Sequence, residues 1–274
     1  MNSASEQQLT YDDKADNYVI QHFAPHLNEF VFQCIFYHFR KKQYQNQNGR
    51  ASDIYFCPLL CYDDYMKAFG RRTERTEMKI YDISQEVFGC EVYLGDPAPK
   101  QSVLFSTEKG DEYNLTAFSM CAHNGTHLDA PRHFIGDGRA IDEVSLHSFV
   151  GSAYVAEIAG EVTADDARNI IKKASSSDLE SAKRILIKGD AVVSLDAARV
   201  FADAKILLLG NESQTVGPID APMQVHLELL GAGVVLLEGI RLADVGEGTY
   251  FLSAAPLKLG GSDGAPCRAI LISE

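Results

Sequence analysis

The chain runs to 274 residues, 46% of them hydrophobic, with a formal net charge of −13. That length holds one large domain or two small ones, and that apolar share can build a core. The acidity and the lack of a basic stripe exclude nucleic acid as a partner, and no apolar run reaches the roughly 18 residues that a membrane helix needs.

The amino terminus, MNSASEQQLTYDDKADN, is polar and acidic and lacks the basic and apolar regions of a secretory signal. The six cysteines (34, 57, 61, 90, 121 and 267) form no CxxC pair. In a chain of this size that pattern reads as free thiols in a reducing compartment. The expectation is a cytoplasmic protein with neither membrane nor nucleic acid among its partners.

Residues 1–77 differ in texture from the rest. They hold 14 of the 26 Phe and Tyr residues and are Gln/Asn-rich around 43–48. A Phe-dense stretch predicts one helix over 28–39, after Pro25 and ending near Arg40-Lys41-Lys42. Cys57 and Cys61 are too isolated to form a site. One reading makes the segment an accessory arm that packs on the core or on a second subunit. The other, slightly favoured, makes it non-native. The stretch Arg-Arg-Thr-Glu-Arg-Thr-Glu before Met78 is encodable by purine-rich codons, as in a bacterial ribosome-binding site. On that reading the chain starts at Met78, and the expected division is 1–77 as an extension and 78–274 as the working domain.

From Met78 onward strands and helices mix. Period and β-branched content predict strands at 79–83, 115–123, 153–158, 184–188, 205–209, 233–237, 250–255 and 267–272. Helices are predicted at 164–174, 195–203 and 221–230, opened by Thr163, Ser194 and Asp220 as N-caps. A βαβαβ stretch over 184–237 with strand-rich flanks makes a mixed α/β domain. Gly136-Asp137-Gly138 and Gly260-Gly261-Ser262-Asp263-Gly264 read as loops between strands. Neither has the context of a phosphate-binding loop, and Gly-x-Ser-x-Gly is absent, so no nucleophile elbow is present.

Residues 123–133 read His-Asn-Gly-Thr-His-Leu-Asp-Ala-Pro-Arg-His and hold three of the eight histidines. Nitrogen and oxygen donors without thiolate suit a catalytic Zn²⁺ or Mn²⁺ ion rather than a closed Cys₄ site. On a helix, His123 and His127 would share a face, but Asp129 would point about 200° from His127, Gly125 would weaken the helix and Pro131 would break it. With a strand, a turn at Asn124-Gly125 and a second short strand, His127 and Asp129 share a face and the turn returns His123 beside them. The second geometry is preferred. A lone His is more often a hydrogen-bonded core or surface residue, but this combined string is far more specific. Cys121 reads as a small core residue, with a soft ligand as the alternative. Glu238 ends a short apolar run, and a carboxylate there needs a metal, an Arg or several N–H groups. From the residues alone, a salt-bridged or exposed Glu238 and a His226 on a polar helix face are the plainer readings.

The string H-x-G-T-H-x-D-x-P-x-H resembles the signature of the metal-dependent cyclase/kynurenine formamidase family. Met78–Ser84 (MKIYDIS) is similar to the family's opening strand, and Tyr93-Leu94-Gly95-Asp96-Pro97 to its Trp-Pro-Gly-Asp segment. Residues 229–240 and 256–270 resemble its C-terminal third. The resemblance implies a swivelling β/β/α domain. It implies His123, His127, Asp129, His226 and Glu238 as ligands of one or two divalent ions, with Asp129 and Glu238 able to bridge. His133 would be the general acid/base and Tyr93 would touch substrate. Tyr93 stands where the formamidases have Trp, and Leu94 replaces Pro, which weakens the substrate assignment more than the chemistry. Homodimers or homotetramers are implied as well.

Zinc is the first expectation for the metal and manganese the second. Such ions lower the pKa of bound water from about 15.7 toward ~7. The resulting hydroxide would attack an amide-type carbonyl, with His133 carrying the proton. The expected enzyme is an amidohydrolase acting on an aryl formamide such as N-formyl-kynurenine, within tryptophan catabolism. The alternatives are an isatin-type cyclic amide or lactone hydrolase or cyclase, or a metal-dependent small-molecule binding protein without turnover.

Overall fold

Apolar runs too short for helices, separated by amphipathic stretches, set the architecture after Met78. The computed structural model describes residues 42–45, 51–54 and 78–273; the helix expected over 28–39 lies outside them. The chain divides into two units, Met1–Arg75 and Thr76–Glu274. In the first, strands β1 (Lys42–Gln45) and β2 (Ala51–Ile54) pair antiparallel.

The second unit is mixed α/β, as expected, and is built on a nine-stranded sheet. Its middle is parallel: β7 (Val150–Glu157), β9 (Arg184–Lys188), β11 (Leu208–Asn211) and β12 (Val235–Glu238). Beyond β12 lie β6 (His127–Asp129) and β14 (Gly264–Pro266); beyond β7 lie β13 (Gly248–Ser253), β15 (Ile270–Ser273) and β3 (Lys79–Asp82), all antiparallel to their neighbours. Two small pairs stand apart: β4 (Lys100–Phe105) with β5 (Leu115–Ser119), and β8 (Gly160–Val162) with β10 (Ala191–Val193). Helices α1 (Leu146–Phe149), α2 (Ala164–Ser177), α3 (Leu195–Asp203) and α4 (Met223–Gly231) complete the described part.

The central strands are buried on both faces, which is why they read as unbroken apolar runs. Alternation splits β9 between two cores. Ile185 and Ile187 pack with Ala167 and Ile170 of α2 and with Phe201 of α3, whereas Leu186 joins Leu128, Phe149 and Leu237 on the other face. Thr163 and Asp166 form a reciprocal capping box on α2, with Asp166 N–H donating to Thr163 Oγ1 at 3.2 Å and Thr163 N–H to Asp166 Oδ2 at 2.9 Å.

Two expectations are corrected. Asp220 does not cap α4. Ala221 N–H donates to Pro218 O, closing a turn that leaves Asp220 exposed, and Pro222 takes the cap position. The strand expected over 115–123 stops at Ser119, because the chain turns before His123 to join β6. Strands β6, β8, β10 and β14, three residues each, are too short to show a period.

The carboxyl ends of β11 and β12 meet the start of β6, the place where open α/β sheets bind ligands. Glu238 ends β12, and the chain reverses at Gly239, whose φ is 69°. Gly239 O accepts from Thr126 Oγ1 (2.7 Å) and Gln85 Nε2 (2.8 Å), and its N–H donates to Ser213 O (2.7 Å). A Cβ here would run into the carbonyl of Gly125 and the amide heads of Gln85 and Gln214. Left-handed φ costs an L residue ~1–2 kcal/mol and overpacking ~1–3 kcal/mol. Gly239→Ala is therefore expected to lower stability by about 2–4 kcal/mol in urea unfolding, with the segments around Gln85, Gly125 and Gln214 loosened together.

Candidate metal centre

Strand alternation does the first positioning. On β6 it turns His127 and Asp129 to one face and Leu128 into the core, all three at most 1% exposed. Antiparallel pairing with β12 sets Glu238 directly opposite His127. The turn before β6 is tied by Cys121 N–H donating to Asn124 Oδ1 (2.8 Å), and Gly125 adopts φ 64° against the side chain of Cys90. That turn returns His123 beside β6. Gly264 on β14 leaves room for it, since a Cβ there would strike the His123 ring. Pro131 opens a 3₁₀ turn that carries His133, and α4 delivers His226.

All five expected ligands converge, although 115 positions separate His123 from Glu238. His123 Nδ1 lies 2.7 Å from Asp129 Oδ1. His127 Nε2 lies 3.4 Å from both Asp129 Oδ1 and Glu238 Oε2. His226 Nε2 lies 3.3 Å from Glu238 Oε1 and 3.6 Å from Asp129 Oδ2. Among the described residues two donor groups stand out: His123, Asp129 and His133, and His127, Asp129 and Glu238. Asp129 belongs to both, and neither includes Cys121.

The backbone fixes which ring nitrogens face inward. His127 Nδ1 meets Gly125 O at 2.9 Å, and His226 Nδ1 meets Pro222 O at 2.8 Å. A carbonyl only accepts, so each Nδ1 carries the proton and each neutral ring turns the Nε2 lone pair toward carboxylates. Asp129 Oδ2, fully buried, accepts no hydrogen bond. Lone pairs facing carboxylate oxygens in a buried cluster are unfavourable unless a proton or a metal cation lies among them. The donor set therefore fits a divalent ion.

Without an ion, a proton takes that place on each ring. Burial pulls the His127 ring down, but the hydrogen bonds and charges of Asp129 and Glu238 outweigh it and raise its pKa to about 10. Burial likewise opposes, and Glu238 and Asp129 win, at His226, whose pKa is raised. Asp129 is held well below the ordinary carboxylate value, against its own burial, by His123 and His127. This field retains protons on imidazoles for the same reason that it attracts metal ions.

A cavity of about 540 Å³ opens over the cluster, and Tyr93 lines it with His123, His133, His226 and Glu238. Tyr93 is held by its hydroxyl, which donates to Ile219 O at 3.1 Å. A larger cleft of about 750 Å³ beside α2 lies elsewhere; its Tyr154 and Lys173 both donate to Glu247, and none of the expected site residues lines it.

The sequence reading missed three groups here. Asp263, treated as part of a loop, reaches His123 Nε2 (2.9 Å) and His133 Nδ1 (3.2 Å). Gln214 and Thr215 line the cavity from the loop after β11. Only the placement of Asp263 directly before a strand that pairs with β6 marks it, and a three-residue strand gives no signal of its own.

Comparison with known proteins agrees with this architecture. A family model named Cyclase ("Putative cyclase") matches residues 75–216. A kynurenine formamidase of Salinibacter ruber is 35% identical over 210 residues, covering 71% of this chain and 97% of that protein. A solved structure described as a potential metal-dependent hydrolase with cyclase activity superposes with TM-score 0.61 at 31% identity, over 72% of this chain and 99% of its own. Isatin hydrolase A from Labrenzia aggregata shares the fold, with TM-score 0.61 at 21% identity over 76% of this chain and 98% of its own. The chain belongs to the cyclase family.

Proposed function

We propose that this protein is a metal-dependent amidohydrolase that cleaves an aryl formamide, with His133 moving the proton. The observation that carries the reading is the buried meeting of Asp129 and Glu238 with two backbone-locked imidazoles beneath a cavity that His133 lines. N-formyl-kynurenine is the favoured substrate, supported by the kynurenine formamidase of S. ruber. Zinc is favoured over manganese because three imidazoles and two carboxylates suit it.

His123, His127, Asp129, His226 and Glu238 would hold a divalent ion, which would supply carbonyl polarisation and a lowering of the pKa of bound water from about 15.7 toward ~7. The protein's own groups do the rest. His127 and His226 present Nε2 in fixed directions. Glu238 is held by Val216 N–H, which donates to its Oε1 at 2.8 Å. His133 is half-buried at the cavity wall, stacked on His123 with ring centroids 4.0 Å apart and touched edge-on by Phe134 at 4.6 Å. From there it takes the proton released as water adds to the formyl carbon. It then delivers that proton to the aryl nitrogen as the C–N bond breaks, releasing the amine and formic acid, which ionises to formate by losing its proton to water. Phe134 also packs on His226, so one apolar ring limits water around both imidazoles.

No helix among the described residues is long and apolar enough to cross a membrane. A cytoplasmic homodimer or homotetramer remains part of this reading. Val103, Leu104, Phe105 and Phe118 are exposed on the β4–β5 ribbon, and two strands alone are marginal in water.

Metal analysis of His133→Ala is expected to match the native protein, while turnover falls ~10²–10⁴-fold. Asp129→Ala is expected to lose both metal and activity. Equal metal loss in the two variants would make His133 a ligand instead. In a panel of aryl formamide, isatin and simple lactones followed by absorbance, the formamide is expected to turn over fastest. Metal-loaded protein that converts none of them would be a binding protein.

A further inference from the structure

The loop from Gly260 to Gly264 brings an acidic side chain to the centre that the ligand string does not contain. Asp263 is pinned by its own backbone, since Ala130 N–H donates to Asp263 O at 2.9 Å and the next residue, Gly264, pairs with Asp129. A single oxygen, Asp263 Oδ2, meets His123 Nε2 at 2.9 Å and His133 Nδ1 at 3.2 Å. The two rings lie nearly parallel, 28° apart, under that shared acceptor.

We propose that Asp263 is a positioning residue that sets the tautomer and orientation of both His123 and His133. A carboxylate oxygen accepts, so both facing nitrogens donate. His123 Nδ1 also faces a carboxylate, Asp129 Oδ1 at 2.7 Å, so it is with an ion among the donors that a neutral His123 would keep its proton on Nε2, toward Asp263, and leave the Nδ1 lone pair for the donor group. In a neutral His133 the proton on Nδ1 leaves Nε2 as the nitrogen that can accept a proton. One acidic side chain therefore turns one imidazole into a metal donor and its neighbour into a base. Carboxylate partners that orient ligand histidines typically matter by ~10–100-fold in metal affinity or activity. Here the same group serves both properties. The His133 half rests on the hydrolase reading, whereas the His123 half rests on the donor geometry alone.

Two readouts independent of turnover test this on the full chain. Zn²⁺ affinity is measured by competition with a chromophoric chelator for the native protein, Asp263→Ala and Asp263→Asn. The His133 tautomer is read from imidazole ¹⁵N shifts of the zinc-loaded protein, assigned with His133→Gln. Asp263→Ala is expected to keep the native ion count at saturation, to bind zinc ~10–100-fold more weakly, and to lose the preference for the proton on Nδ1. Asp263→Asn keeps an acceptor oxygen and is expected to fall between the two. On a turned-over formamide the Ala variant lowers kcat with KM nearly unchanged. Native affinity together with an unchanged His133 tautomer would overturn the proposal. Loss of a whole ion at saturating zinc would also overturn it, making Asp263 a ligand. A native protein that turns over no substrate while both shifts occur would sink the hydrolase reading and leave the role of Asp263 standing.

Discussion

A three-residue strand carries the centre. β6 contributes only His127, Leu128 and Asp129, and it is gripped on both sides, by β12 and by β14. The grip on β12 fixes the register that sets an imidazole opposite a carboxylate. A slip by one residue would turn Leu128 into the site and both polar side chains into the core, so the buried leucine guards the register as much as the ladder does. Leu128 is fully buried among Leu186, Leu237 and Ala265. The hydrophobic effect therefore holds the polar residues in place, although none of them profits from it directly.

Burying two carboxylates and two imidazoles together is costly unless each is satisfied. The main chain meets part of that cost. Gly125 O and Pro222 O take the outer nitrogens of His127 and His226, and Val216 N–H serves Glu238. Glycines make these approaches possible at Gly239 and Gly264, where any Cβ would meet backbone or a ligand ring. What the protein leaves unsatisfied points inward, at Asp129 Oδ2 and the two Nε2 lone pairs, where a cation would be most effective.

Much of this was legible in the residues, and for identifiable reasons. The string from His123 to His133 is local, its residue types are uncommon, and Pro131 and Gly125 argue against a helix. Strand alternation then does the geometry. The parallel strands were legible as unbroken apolar runs, and the helices α2 and α3 because they are periodic and well capped. His226 and Glu238 were not legible from spacing alone; an ordinary salt-bridged or exposed Glu and a His on a polar helix face were the plainer readings, and only resemblance to a family picked them out. The family model itself ends at 216, before both, so the convergence of these two side chains is a result of the fold. Asp263 was hidden because an acidic residue among glycines looks like any exposed turn. The start of α4 was misjudged because a Pro218–Ala221 turn competed with the Asp220 cap, a choice that depends on neighbours far along the chain.

The backbone anchoring of these donors has a further consequence for selectivity among ions. A cradle whose rings and acid are tethered to main-chain atoms cannot widen freely. Calcium, which favours six to eight oxygen donors at 2.3–2.6 Å, would need the walls to spread and would find too few oxygens. Ions that accept imidazole at shorter bond lengths would need no such rearrangement. The two carbonyls, Gly125 O and Pro222 O, tether the rings through the main chain, so the directions of the two Nε2 atoms would persist through most changes in the surrounding side chains.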